Sequence, residues 1–344
     1  LVKLEPSIVE SSELDTNIVE QETRSPSDIQ LTPDLVRSAY MLFLDRNAES
    51  DVVVTRALSH GSVKELRAAM ISSSEFRRKN PLKLNNLPLD LPRLSIESNP
   101  EESAQIALFE HIQSKWTKLG AERPYWSVLS SPVFEREVTP DLEERFYASG
   151  AGEMQEVQSL VHRAGRSFSD FSDVVEYGCG LGRMTLQLAR SFARVTGIDI
   201  STAHLDLARI AAARTNVANI DFRTASLPDL GMTSGFDFWY SRIVLQHNPP
   251  PLIKYILQRA LTMLRPAGMA IFQVPTHSVG YAFDLKRYMQ SRKGAGDIEM
   301  HCLPQRDVLN VVAEAGCVVC EVREDRSVNI PEYWISNTFV VEKR

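Results

Sequence analysis

No run of apolar residues in this sequence approaches the roughly 18 that a membrane-spanning helix needs, so no span is expected. A basic surplus is also missing. Lysine and arginine total 38 against 44 acids, a net charge of −6, which argues against a broad nucleic-acid footprint and leaves room only for a local basic patch. Cysteine is scarce: four in 344 residues exclude a disulfide-held scaffold. Cys317 and Cys320 have a metal-like spacing, but no second pair accompanies them. In the apolar run Cys317-Val318-Val319-Cys320, strand residues three apart face opposite sides, so the two read as packing and no metal is expected. The opening stretch, Leu1 to Glu22, is acidic and lacks the basic-then-apolar order of a signal peptide. The chain does not begin with Met, which suggests a trimmed start. These absences together point to a reducing, cytoplasmic compartment.

What is present is ordinary globular composition, 43% hydrophobic and 24% charged, with length for two domains and a tail. Residues 1–30 are rich in Glu, Ser and Asp without periodicity and read as a disordered tail. A small helical domain is expected over 31–80. Thr32 caps and Pro33 opens its first helix, with Leu35, Val36, Ala39, Tyr40, Leu42 and Phe43 on one stripe. A second helix covers Val52 to Leu58, and a third starts near Ser62 with Val63, Leu66 and Met70 on one face. Residues 81–100 carry four prolines and read as a linker. A helical extension fills 101–170, with a helix from about Glu101 to Leu119 and another region from Glu143 to Ala164 interrupted at Gly150 and Gly152.

From 171 to 344 short apolar runs alternate with helical patterns. Strands are expected at Asp173–Tyr177, Arg194–Asp199, Ile220–Arg223, Phe236–Tyr240 and Met269–Val274, with helices at Arg183–Phe192, Thr202–Arg214 and Leu252–Leu264 between them. That alternation predicts an α/β fold with a doubly wound, mostly parallel sheet. A helix at Gln305–Ala315 and strands at Cys317–Arg323 and Asn337–Glu342 follow. Only a loop joins those last two strands, so they form an antiparallel pair at the sheet's C-terminal edge.

The most informative segment is Asp173-Val174-Val175-Glu176-Tyr177-Gly178-Cys179-Gly180-Leu181-Gly182. It is a buried strand, a glycine-rich turn and the start of a helix. A dinucleotide site wants G-x-G-x-x-G, with a helix N-terminus on the pyrophosphate. Here the glycines fall at 178, 180 and 182, and Arg183 stands where the third dinucleotide glycine would be. Glu176 precedes them, and a carboxylate suits a ligand bearing an ammonium group better than a pyrophosphate.

Acid-x-Gly-x-Gly-x-Gly after a strand resembles the first motif of class I S-adenosylmethionine-dependent methyltransferases. Val195-Thr196-Gly197-Ile198-Asp199-Ile200-Ser201 is similar to that family's second strand, whose terminal acid, here Asp199, holds the ribose hydroxyls. Phe236 to His247 resembles the fourth strand and its loop, and Leu264-Arg265-Pro266-Ala267-Gly268-Met269 the turn into the fifth. The resemblance spans roughly residues 171–343 and implies a Rossmann-like fold. It implies S-adenosyl-L-methionine as cofactor, held by Glu176, Gly178, Cys179, Gly180, Gly182, Asp199, Ile200, Ser226, Leu227, Ser241 and Arg242. The family often places Asp after the third strand, at the adenine amino group; this chain has Ser226 there. Ile200 and Leu227 are expected as apolar walls for the ring. The region of Tyr147, Gly150 and Gly152 is expected as a lid, as in similar enzymes.

Ala39 to Arg46, Leu66 to Ile71 and Ser74-Glu75-Phe76 are similar to the small helical domain related to phycobilisome linkers, which accompanies bacterial enzymes of surface-polysaccharide synthesis. The Gly-and-Trp centre of that pattern is absent, and a three-helix bundle of no particular family is the alternative. A protein partner at this module is one expectation.

Methyl transfer to a hydroxyl benefits from a general base, and histidine is the natural one. His247 follows the fourth strand and His277 the fifth; both are candidates for the base, and both can equally be caps or packing residues. His301, with Glu299, reads as part of a solvated strand. Residues 278–300 exceed a simple connection, and Tyr281, Phe283, Lys286, Arg287, Tyr288 and Arg292 suit a cover over a sugar, phosphate or carboxylate, or else an amphipathic surface helix. The leading expectation is O-methylation of a sugar or polysaccharide intermediate. The alternatives are a small-molecule N- or carboxyl-methyltransferase and a non-catalytic cofactor-binding scaffold. Nucleic acid is not expected as a substrate, because Tyr240-Ser241-Arg242-Ile243 lacks the Asn/Asp-Pro-Pro-aromatic run of amino-directed DNA enzymes.

Overall fold

A computed structural model describes residues 30–79, 93–135, 137–232, 235–291, 298–328 and 334–344. The expected tail before Gln30, the linker positions 81–92 and Arg292 lie outside the described residues. The chain divides into two compact units, Leu1–Leu84 and Asn85–Arg344.

Within the first unit, α1 (Pro33–Leu44), α2 (Asp51–Leu58) and α3 (Val63–Ser72) each begin at a hydroxyl cap. Thr32, Ser50 and Ser62 accept from the backbone N–H three residues on, satisfying a donor that has no partner inside the helix. A short α4 (Ser74–Lys79) follows where the sequence pattern simply ended. Val36, Ala39, Leu44, Val54, Ala57, Leu66 and Met70 make the core. Leu42 departs from the expected stripe and is 81% exposed. It lies 240° around the helix from Val36, at 100° per residue, while Leu44 turns inward.

The second unit opens with β1 (Ser95–Ile96), inside the expected linker, then α5 (Glu102–Glu122), α6 (Pro124–Val128), α7 (Pro140–Ala148) and α8 (Gly150–Arg163). The chain breaks between α7 and α8 at Ser149; Gly152 lies within α8 and interrupts nothing. Next come β2 (Asp173–Tyr177), α9 (Thr185–Ala189), β3 (Arg194–Asp199), α10 (Thr202–Arg214), β4 (Ile220–Thr224) and β5 (Phe236–Ser241). Then follow α11 (Pro250–Met263), β6 (Leu264–Ser278), β7 (Ala282–Phe283), α12 (Leu285–Gln290), α13 (Gln305–Glu314), β8 (Cys317–Asp325) and β9 (Trp334–Lys343).

The main sheet runs β4-β3-β2-β5-β6-β9-β8. Pairs from β4 to β6 are parallel, and β9 is antiparallel to both β6 and β8. The fold is therefore Rossmann-like α/β, with its reversed strand next to the C-terminal edge. Strand alternation splits the core into two faces. Trp239, Phe272 and Phe339 point to one side, under α11 and α13, and Phe272 stacks on Phe339 at 5.2 Å. Phe238, Val174 and Ile271 point to the other, with Phe171 and Phe192. Cys317 is buried and Cys320 exposed, the latter at a register shift between Val319 and Glu321. β7 pairs in parallel with β1, so residues 278–291 form a small second sheet and a short helix, not an extended surface helix.

Phe272→Ala would remove a fully buried ring between Trp239 and Phe339. It should cost about 3–5 kcal/mol of unfolding free energy by urea titration; a loss under about 1 kcal/mol would contradict the packing described.

Candidate active site

Order reverses between β2 and β5, the neighbours from which the sheet winds both ways, and a parallel sheet opens a crevice at such a point beyond its strand ends. The cleft there encloses about 1020 Å³, solvent mouth included. Its floor is the turn after β2. Gly178 and Cys179 donate backbone N–H groups to Ile198 O at 2.7 and 2.9 Å, tying the turn to β3. Gly178 has φ +77°, and a Cβ there would meet Val244 at 2.2 Å; one on Gly180 (φ +52°) would meet Val128 at 2.8 Å. Both positions therefore need glycine, for conformation and for space.

Asp199 ends β3 and is buried. Its Oδ2 accepts from Gly180 N at 2.8 Å and its Oδ1 from Ser201 N at 2.9 Å. Oδ2 keeps a second lone pair facing the cleft, while Oδ1 also has His204 close by. His204, the first turn of α10, sits with Nδ1 3.4 Å from Asp199 Oδ1 and Nε2 2.7 Å from Ser127 Oγ on α6. Glu176, one residue before the end of β2, is buried and accepts the Thr185 hydroxyl at 2.5 Å. Burial raises its carboxyl to about 8, with Thr185 opposing and Glu153 and Asp199 adding to the rise.

A second cluster stands beside Glu176. Glu153 on α8 accepts the Tyr240 hydroxyl at 2.6 Å and pairs with Arg183. Arg242 pairs with Glu156 at 2.6 Å. At the other end, His247 lines the cleft with its ring 5.5 Å from that of Trp116. Its Nδ1 donates to Glu299 O at 2.8 Å. Burial lowers this imidazole to about 4, so it is uncharged at neutral pH.

Of the residues expected at the site, Glu176, Gly178, Cys179, Gly180, Asp199, Ile200, Arg242 and His247 line this one cleft. Gly182 packs toward Ala208 and Phe222, and Ser241 donates to Tyr177 O at 2.9 Å, stitching β2 to β5. Neither lines the cleft, and nor do Ser226, whose carbonyl accepts from Leu230 N, and Leu227, which packs on the main core. His277 lies on β6 opposite Ile335, away from the lining. Of the expected lid, Tyr147 and both glycines stay outside the lining; Glu153, one turn on, reaches it. Glu299 and His301 are not a solvated strand: they are buried, with less than a tenth of either side chain exposed. The sequence reading missed Trp116, Ser127, Glu153 and His204. The last alone had a local signal, since Ser201 caps α10 by accepting from His204 N.

Glu176 generates a pH signature. Its folded carboxyl holds its proton up to about 8, whereas the unfolded one ionises near 4.5. Between those values the unfolded chain binds fewer protons, so stability falls as pH rises. Glu176→Gln should flatten the urea-midpoint profile between about pH 5 and 8; an unchanged slope would contradict the burial of an acid there.

Residues 174–268 match the family described as "Methyltransferase domain". The chain is 27% identical over 176 residues to the ubiquinone biosynthesis O-methyltransferase of Colwellia psychrerythraea, covering 51% of this chain and 65% of that protein. It is 28% identical over 138 residues to the trans-aconitate 2-methyltransferase of Deinococcus radiodurans, covering 40% and 49%. The chain thus spans about half the length of the curated relatives it matches. Among solved structures, the magnesium protoporphyrin IX methyltransferase of Synechocystis PCC 6803 with bound SAH aligns at a TM-score of 0.47 and 16% identity, over 68% of this chain and 98% of that one. Residues 174–268 thus carry a methyltransferase domain by that match, and they hold the glycine turn and the point where the strand order reverses.

Proposed function

We propose that this chain transfers a methyl group from S-adenosylmethionine to a hydroxyl of an uncharged small molecule, with His247 as general base. The observation that carries the reading is the convergence of the Gly178–Gly180 turn, Asp199, Glu176 and His247 on one cleft. The residues fit the cofactor chemically. A lone pair left on Asp199 Oδ2 suits a ribose hydroxyl, and Glu153, held as an anion beside the protonated Glu176, suits an ammonium group. Bound there, the cofactor supplies a methyl group on a positively charged sulfur, already activated for displacement.

What is left to the protein is alignment and deprotonation. Trp116 offers a flat face beside His247 at 5.5 Å between rings, suited to a ring-shaped acceptor. An acceptor hydroxyl at His247 gives its proton to Nε2 while Nδ1–H stays on Glu299 O. The charge of the cleft bears on acceptor class. Arg183 and Arg242 are engaged by Glu153 and Glu156, and Lys115, behind His247, by Glu299. A polyanion such as a tricarboxylate therefore meets no unengaged cation among these residues. An uncharged ring alcohol, a saccharide hydroxyl or a phenol, needs none. The relatives named O-methyltransferases agree with transfer to oxygen.

Two measurements test this reading. Asp199→Ala should weaken S-adenosylhomocysteine binding by about 5- to 150-fold in calorimetry, from about 1–3 kcal/mol of lost hydrogen bonding; equal affinity would remove Asp199 from the cofactor site. His247→Gln should lower kcat about 100-fold toward a reactive alcohol drawn from a panel of catechol, monosaccharide, amine and tricarboxylate, with cofactor affinity retained. Full activity in that variant, or preferred transfer to the amine or tricarboxylate, would refute base-assisted O-methylation.

A further inference from the structure

A buried polar group sits directly behind His247. Lys115 on α5 donates from Nζ to Glu299 Oε1 at 2.9 Å, with 8% and 7% of the two side chains exposed. Oε2 of the same carboxylate accepts the Tyr288 hydroxyl at 2.8 Å and lies 3.2 Å from His301 Nε2. His301 Nδ1 in turn meets the Tyr281 hydroxyl at 2.8 Å. These donors outweigh desolvation and hold the Glu299 carboxyl well below the usual carboxylate range. A buried ion pair is weak support for stability on its own, because apolar replacements are often as good. Its consequence here is local. The clamped residue presents its main-chain carbonyl to His247 Nδ1 at 2.8 Å, and two residues on His301 N donates to Gln246 O at 2.7 Å. The carbonyl can only accept, so Nδ1 carries the hydrogen and the neutral ring's lone pair is on Nε2. The Gln246 side-chain amide, 3.3 Å from Nε2, faces it as a donor, and an acceptor hydroxyl takes over the lone pair by displacing that long contact.

We propose that Glu299 is a positioning residue: clamped by Lys115, Tyr288 and His301, it fixes His247 as the Nδ1–H tautomer and so selects Nε2 as the nitrogen that takes the acceptor's proton. The catalytic half of this statement rests on the reading of His247 as base; the tautomer does not. The charged and titratable groups around the clamp are Lys115 on α5, Tyr288 on α12, and Tyr281 and His301 on either side of them. His111 of α5 also packs its ring on Tyr288 at 5.9 Å.

The test is nitrogen-15 NMR of histidine rings in the full chain with S-adenosylhomocysteine present. Wild-type His247 should show a single Nδ1–H tautomer at neutral pH. Lys115→Met should give a mixture of tautomers and move the His247 titration upward, since a nearby positive charge that disfavours the imidazolium is gone. Lys115→Arg should keep the wild-type pattern. An Nε2–H tautomer in the wild type overturns the proposal, as does a Lys115→Met protein with unaltered tautomer and titration. If Lys115→Met does not fold, the wild-type spectrum and Tyr288→Phe, expected to loosen the tautomer, decide between the same two outcomes. A fixed Nδ1–H tautomer together with an active His247→Gln enzyme would support the clamp and overturn only the base.

Discussion

Asp199 accepts hydrogen bonds from the backbone of Gly180 and Ser201, and with them it joins the turn after β2 to the start of α10. Buried acceptors of this kind are costly when left empty, so the carboxylate holds the turn in place as well as facing the cleft. The two glycines then bring the turn within reach of Val244 and Val128, where no side chain has room. The whole cleft depends on that one charged group at the end of one strand. α6 and α10 meet over it through Ser127 and His204.

The charged groups at the cleft sort themselves by burial and partner. Glu176 has one hydroxyl partner and a raised carboxyl. Glu153, beside it, has Arg183, Arg242 and the Tyr240 hydroxyl, and its carboxyl is lowered despite burial. Environments that push neighbouring acids apart are characteristic of functional sites. Here they give an acid still able to take up or release a proton next to one that is fixed as an anion. The same contrast appears at the far end, where an uncharged His247 stands on a fully engaged Glu299.

Much of this was legible in the sequence, for a physical reason: strand and turn signals are local. β2, β3 and α10 fall where apolar runs and caps put them, and the acid-glycine segment marks the floor of the cleft without any tertiary information. What was not legible comes from residues distant along the chain. Trp116 and Glu153 lie on long helices and Ser127 in a short aromatic segment with no binding signature, and only packing against the sheet brings them to the cleft. Glu299 and His301 were misread because two polar residues flanking a Met look solvated; their burial is made tolerable by Lys115, 184 positions away, and by Tyr288 and Tyr281. Ser226 and Leu227 were placed by family pattern, and the chain there turns back on itself through Ser226 O and Leu230 N instead.

The central claim is that this cleft takes a sulfonium nucleoside and not a pyrophosphate dinucleotide. A crystal structure of the full chain grown with both S-adenosylhomocysteine and a nicotinamide dinucleotide tests it most directly. The account predicts density for the nucleoside with its ribose on Asp199 and its amino group toward Glu153 and Glu176. A nicotinamide cofactor lying on the Gly178–Gly182 turn, or that turn closed over with S-adenosylhomocysteine excluded, would contradict it.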